Sequence, residues 1–194
     1  FTSTGFVTNQ ILMKSLPYEP DALAPVAMGG TAANVLYVHP SVPVQDVAGL
    51  LAYAKAHPGE LKFASTGNGS SPHLTAELLA SEAGIPILHV PYKGAGPALA
   101  DLLAGHVNAM FHFPASLALV KQGKLRAIAV AAEERLVEAP DLTTFPQAGL
   151  PGVVSGSWFG FFAPAGTPDA VKDQIHRDVS EALKVPHVQR YMRD

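Results

Sequence analysis

Two short stretches hold the residues best suited to chemistry. They are Ser65-Thr66-Gly67-Asn68-Gly69-Ser70-Ser71-Pro72-His73 and Tyr92-Lys93-Gly94-Ala95-Gly96-Pro97. Each follows an apolar run, Leu61 to Ala64 and Ile85 to Val90, and each opens an amphipathic helix pattern. A strand, a turn of small residues and a helix start leave free backbone N–H groups aimed at an anion. The hydroxyls of Ser65, Thr66, Ser70, Ser71 and Tyr92 and the ammonium of Lys93 add donors. Together they suit an oxyanion or a carboxylate. One such turn is no more than a tight connection between elements; two in succession favour a site.

Of eight histidines, two stand out. His73 falls on the first helical turn after the first loop, where its ring can bond a turn carbonyl or a ligand. His112 ends a strand at the same expected sheet edge, as a ligand contact or a half-buried strand end. His39, His57, His89, His106, His176 and His187 sit mostly beside turns and helix ends without the spacing of metal ligands, so no metal site is expected.

The first turn nearly matches other motifs. Gly67 to Pro72 begins as GxGxxG but ends in Pro, and the run from Gly94 ends in Leu99. No acidic partner follows at the required offset and Gly-Lys-Ser/Thr does not occur, which excludes the nucleotide loops. Gly69-Ser70-Ser71-Pro72-His73 is similar to a nucleophile elbow with His in place of the last Gly. A small α/β serine hydrolase using Ser70 or Ser71 is therefore the alternative reading, although no acid–His pair completes a triad.

The elements that must position these turns read as β-α repeats. Strands are expected at Val26–Gly29, Ala33–Val38, Leu61–Ala64, Ile85–Val90, Val107–Phe111 and Leu125–Ala131. Helices are expected at Val44–His57, from Ser71 as N-cap to Gly84, at Ala98–Leu103 and at Ala115–Lys121. Such alternation predicts a mostly parallel sheet with helices on its faces and ligands at the carboxyl ends of its strands. Residues 133–156, rich in Pro and Gly, read as a long crossing between lobes. An aromatic strand (Val153–Ala163) and a helix from Pro168 to about Lys184 follow.

The 194 residues are 48% hydrophobic and 15% charged, with a net charge of −3 and no cysteine. That composition excludes disorder, disulfides, thiolate metal sites and a cysteine nucleophile. No basic stripe marks a nucleic-acid partner, and no apolar run approaches the roughly 20 residues of a membrane span. Phe1 to Phe6 reads as a strand entered partway, and the last residues carry no helix stop, so a longer protein is expected.

Residues 64–74, 89–99, 101–105, 123–130, 143–151 and 158–168 closely resemble, in order, the Bug-type substrate-binding proteins of tripartite tricarboxylate transporters. The resemblance implies an α/β, two-lobed periplasmic binding protein type II-like fold, with mostly parallel sheets flanked by helices. It implies residues 1–37 and 132–194 in an incomplete first lobe and 38–131 in the second. A small organic carboxylate would be held between the lobes and delivered to membrane permease subunits in the periplasm. No cofactor, metal, nucleic acid, membrane insertion or catalysis is implied, and the protein is expected to be a monomer. Ser65, Thr66, Gly67, Gly69, Ser70 and His73 match one ligand loop; Tyr92, Lys93, Gly94, Ala95 and Gly96 match its neighbour. Ser3 and Thr4 match the end of a first-lobe strand. The family's own opening strands and their glycine-rich loop would precede Phe1. Where the family often carries an acidic residue this chain has His112, which favours a ligand whose second end is acidic or neutral polar rather than cationic.

Overall fold

The computed structural model describes residues 1–193. In chain order, β1 (Thr2–Ser3), α1 (Gly5–Leu12) and β2 (Leu23–Ala33) come first. β3 (Val35–Val38), α2 (Val47–Ala56), β4 (Lys62–Ser65), α3 (Ser71–Ala83), β5 (Leu88–Pro91) and α4 (Ala95–Leu103) follow. Then come β6 (Ala109–His112), α5 (Leu117–Lys121), β7 (Arg126–Val130), β8 (Gly156–Pro164), α6 (Asp169–Ala182) and α7 (Pro186–Arg193). No helix among the described residues is long and apolar enough to cross a membrane.

The larger of two compact units is Ala33–Gly156. Its five-stranded sheet has the order β5-β4-β6-β3-β7. β4 is parallel to both β5 and β6, whereas β3 is antiparallel to both β6 and β7. Four strands thus share a direction, as the β-α repeats predict. The sheet is mixed at one strand, because β3 inserts between β6 and β7 against the common direction. All four β3 residues are fully buried, and their alternation divides the core. Leu36 and Val38 join Leu50, Ala54, Phe63, Leu79, Phe111, Phe145 and Val153 on one face. Val35 and Tyr37 join Ala98, Leu102, Met110, Leu125 and Val130 on the other. A fully buried Leu or Phe of this kind contributes about 1.5–3 kcal/mol by leaving water.

The helices over this sheet obey local signals. The Asp46 carboxylate accepts the Gly49 N–H at 2.7 Å and caps α2. α3 ends at Gly84, whose φ of 59° suits a residue without Cβ. Its cap position is Ser70 and not the expected Ser71, which is the first helical residue.

Residues 132–156 do not cross between units as expected. Phe145 and Val153 are fully buried in the larger unit's core. Phe145 N–H donates to Val130 O, and Ser155 N–H donates to Ala131 O. The boundaries therefore fall at 32/33 and 156/157 instead of 37/38 and 131/132. Buried apolar side chains among the prolines hold the segment on the sheet where composition alone suggested a linker.

The smaller unit is Phe1–Ala32 with Ser157–Asp194. Its three strands have the order β1-β8-β2, with Ser3 opposite Phe159 in an antiparallel β1–β8 pair. The aromatic run of β8 packs within this unit: Phe1 lies edge-on to Phe161 at 4.9 Å, and Phe6 meets Phe162 at 5.1 Å. Gly29 lies against them closely enough that a Cβ would stand 3.1 Å from the Phe161 ring. α1 was not visible as a pattern in the sequence, since it buries no residue and Thr4 caps it without a side-chain bond.

Candidate anion-binding site

Parallel pairing of β4 with β5 sets Ser65 opposite Pro91, so the two turns that follow emerge side by side. Tyr92 N–H donates to Ser65 O at 3.0 Å, and Gly94 N–H donates to Thr66 O at 3.2 Å. Two turns more than 20 residues apart thereby become one surface at the carboxyl edge of the sheet. The starts of α3 and α4 open from it. Pro72 and Pro97 offer no N–H, which leaves Ser71 and His73 in one helix and Ala95 and Gly96 in the other as first-turn donors.

The first turn is braced from within. Ser65 is fully buried. Its hydroxyl donates to Gly67 O at 3.1 Å and accepts the Gly67 N–H at 3.2 Å. Ser70 Oγ donates to the same Gly67 carbonyl at 2.7 Å. Gly67 adopts φ 137°, a conformation only glycine holds without strain, and a Cβ there would meet Tyr92 O at 3.5 Å.

Two histidines clamp this turn. Gly69 N–H donates to His73 Nδ1 at 3.0 Å. A backbone N–H can only donate, so Nδ1 is the accepting nitrogen in this bond, and Nε2 lies 3.7 Å from the Glu77 carboxylate. The His73 ring stacks on His89 at 3.8 Å. His89 Nε2 in turn lies 2.7 Å from Ser65 Oγ. Burial, aided by the neighbouring His73, pushes the His89 pKa down to about 4. Nothing in the spacing of the sequence distinguished His89 from the other turn-side histidines. Only the pairing of β4 with β5 brings it under Ser65.

The second turn is more open. Lys93 and Gly96 are exposed, and nothing lies within 4 Å of a Cβ built at Gly94 or Gly96. Tyr92 is turned along α4, its hydroxyl donating to Asp101 Oδ2 at 2.6 Å. That bond to a carboxylate raises the Tyr92 pKa to about 12, and Asp101 is lowered in return by Tyr92 and then by His106.

His112 ends β6, the strand on the opposite side of β4 from β5, and so stands at the same sheet edge. Its Nδ1 lies 2.8 Å from the hydroxyl of buried Ser116. Burial lowers its pKa, which keeps the ring neutral near pH 7. Ser3 and Thr4 lie in the smaller unit, at the end of β1 and the N-cap of α1. Among the described residues no base is hydrogen-bonded to the Ser70 or Ser71 hydroxyl. Ser70 donates to a carbonyl, and Ser71 Oγ accepts from Asn34 at 2.6 Å. Among the described residues no cluster of three or more His, Cys, Asp or Glu could hold a metal ion.

The model of the tripartite tricarboxylate transporter family receptor matches residues 1–194. The chain belongs to this family. Its resemblance to Bug-type proteins holds in the relatives. Protein BugT of Bordetella pertussis is 38% identical over 175 residues, covering 89% of this chain and 54% of BugT. Among solved structures, R. palustris Rpa4515 with adipate has a TM-score of 0.93 at 34% identity, covering 99% of this chain and 65% of that one. MatC from Rhodopseudomonas palustris with bound malate has a TM-score of 0.88 at 32% identity, covering 96% and 65%. The chain spans a little over half the length of the curated relatives it matches. Solved relatives include a periplasmic binding protein, BugD, so the expected binding-protein architecture is borne out. None of these proteins supports the serine hydrolase alternative.

Proposed function

We propose that this chain is the larger part of a periplasmic receptor that captures a small organic carboxylate without turning it over and delivers it to a transporter permease. The observation that carries this reading is the pair of turns at one sheet edge, from which α3 and α4 start with their first-turn N–H groups and which carry Thr66 and Lys93 in their sequence. A carboxylate takes such donors through charge-assisted hydrogen bonds. The adipate and malate held by two solved relatives belong to the same chemical class. The two units correspond, in this reading, to the two lobes of a binding protein. Ser3 and Thr4 belong to the other lobe and enter through the family resemblance.

His112 sharpens the ligand. A neutral imidazole offers no counter-charge to an ammonium group, so the far end of the ligand is acidic or neutral polar. Calorimetric titration of the intact protein with malate, adipate and aspartate tests both statements. Saturable binding of the dicarboxylates without turnover is expected, and His112→Asp should move preference toward the amino acid. Turnover of a simple ester lost in Ser70→Ala would overturn the receptor reading, and an unchanged ligand order in His112→Asp would remove the role of His112.

A further inference from the structure

Beneath the first turn of α3 lies a polar cluster, Asn34, Ser71, Thr75 and Ser155, of which Ser71 alone comes from a glycine-rich turn. Asn34 and Thr75 are fully buried and Ser71 is 4% exposed. Burying this much polarity in a core costs stability unless its hydrogen bonds are made, so its arrangement is informative. Asn34 Nδ2 donates to Ser71 Oγ at 2.6 Å and to Thr75 Oγ1 at 2.8 Å, which uses both of its protons. Thr75 spends its one proton on Ser71 O at 2.7 Å. Its contact with Ser155 Oγ, at 2.8 Å, is therefore one in which Ser155 donates. Asn34 Oδ1 is left buried without a hydrogen-bond partner among the described residues. Donation toward α3 is what an asparagine supplies here.

The backbone of Asn34 is fixed as firmly. Its N–H donates to Ser155 O and its carbonyl accepts from Ala131 N–H at 2.8 Å. Asn34 and Ser155 are also the residues next to the two places, 32/33 and 156/157, where the chain passes between units. The Asn34 side chain, and Thr75 in its contact with Ser155, thus tie residues near both passages to the first two turns of the helix whose N-terminus faces the candidate ligand.

We propose that Asn34 is a positioning residue for the carboxylate site: through Ser71 and Thr75 it sets the height and rotation of the first turn of α3, and so the aim of its N–H donors. This rests on the receptor reading above. The test compares the intact wild type with Asn34→Asp, which keeps the shape but loses both donors, and with Thr75→Val and Thr75→Ser. Three quantities are measured: adipate and malate affinity, the unfolding midpoint, and the amide resonances of Gly69, Ser71 and His73 without ligand.

The expectation is an affinity loss of at least about tenfold, or 1.4 kcal/mol, in Asn34→Asp and Thr75→Val. The three amide resonances should shift in both, and Thr75→Ser should restore affinity and resonances together. If Asn34→Asp does not fold, the threonine pair carries the comparison. Unmoved amides with wild-type affinity in a folded variant overturn the proposal, as does lowered stability alone. Should the wild type bind neither dicarboxylate, the receptor reading fails by itself, and the amide shifts still decide whether Asn34 positions the turn.

Discussion

The turn before α3 and the turn before α4 are built from the same materials, yet the structure holds them differently. In the first, the Gly67 carbonyl accepts two hydroxyls, the Gly69 amide is held by His73, and Ser65 and His89 close the base. In the second, backbone bonds from Tyr92 and Gly94 anchor the turn to its neighbour, and Cβ positions at Gly94 and Gly96 meet open space. Similar sequence chemistry thus produces a rigid wall and an adaptable one. On the receptor reading proposed above, such a division would let a preformed donor set limit the ordering cost on binding while the more open turn adjusts to the rest of the ligand.

The largest effect should come from putting a methyl group on each wall. Gly67→Ala forces a φ of 137° that the surrounding bonds do not release, and should lower stability by about 1–3 kcal/mol in chemical denaturation. Gly94→Ala, at φ 108° with its own N–H bonded to Thr66 O and open space around its Cβ position, should relax and cost less. Equal losses in the two variants would erase the distinction.

A pH series probes the histidine clamp, with a smaller effect. In the unfolded chain a histidine takes its proton near pH 6.5, whereas native His89 refuses it until about 4. The unfolded state therefore binds more protons across that window, and stability falls as pH drops through it, with no such loss above it. His89→Gln should flatten this part of the profile in denaturation midpoints at pH 7.5, 6.0 and 4.5. A profile as steep as wild type would show that the clamp is not what titrates.

The smallest effect belongs to the open turn. Replacing Asp101 by Asn removes the carboxylate that holds the Tyr92 proton, so Tyr92 should ionise closer to the ordinary value of about 10 than to about 12. Tyrosinate absorbance reads this directly, and little change in stability is expected because the pair is near the surface.

Much of the site was legible in the chain. The glycine- and serine-rich runs marked the two turns, Pro72 marked a helix start, and the apolar runs marked β4 and β5, because these signals act over a few residues. His89 and Asn34 were not legible. His89 matters through stacking on His73 and reaching Ser65, 24 residues away. Asn34 meets Ser71 and Thr75 across 37 and 41 residues. The expected linker over residues 133–156 was misread for a similar reason: proline and glycine content reports local stiffness, whereas Phe145 and Val153 are decided by what they pack against.

By itself the sequence determined the alternation of strands and helices, the two anion-ready turns and the family, since each is written in local periodicity, backbone freedom or an ordered run of motifs. The tertiary structure alone decided that β3 runs against its neighbours at the centre of the sheet, and that parallel pairing of β4 and β5 fuses two turns into one surface. It also decided that a buried asparagine braces the helix start. These depend on which strands find one another and which polar groups must then share too few protons. No local pattern of residues encodes such pairings between distant segments.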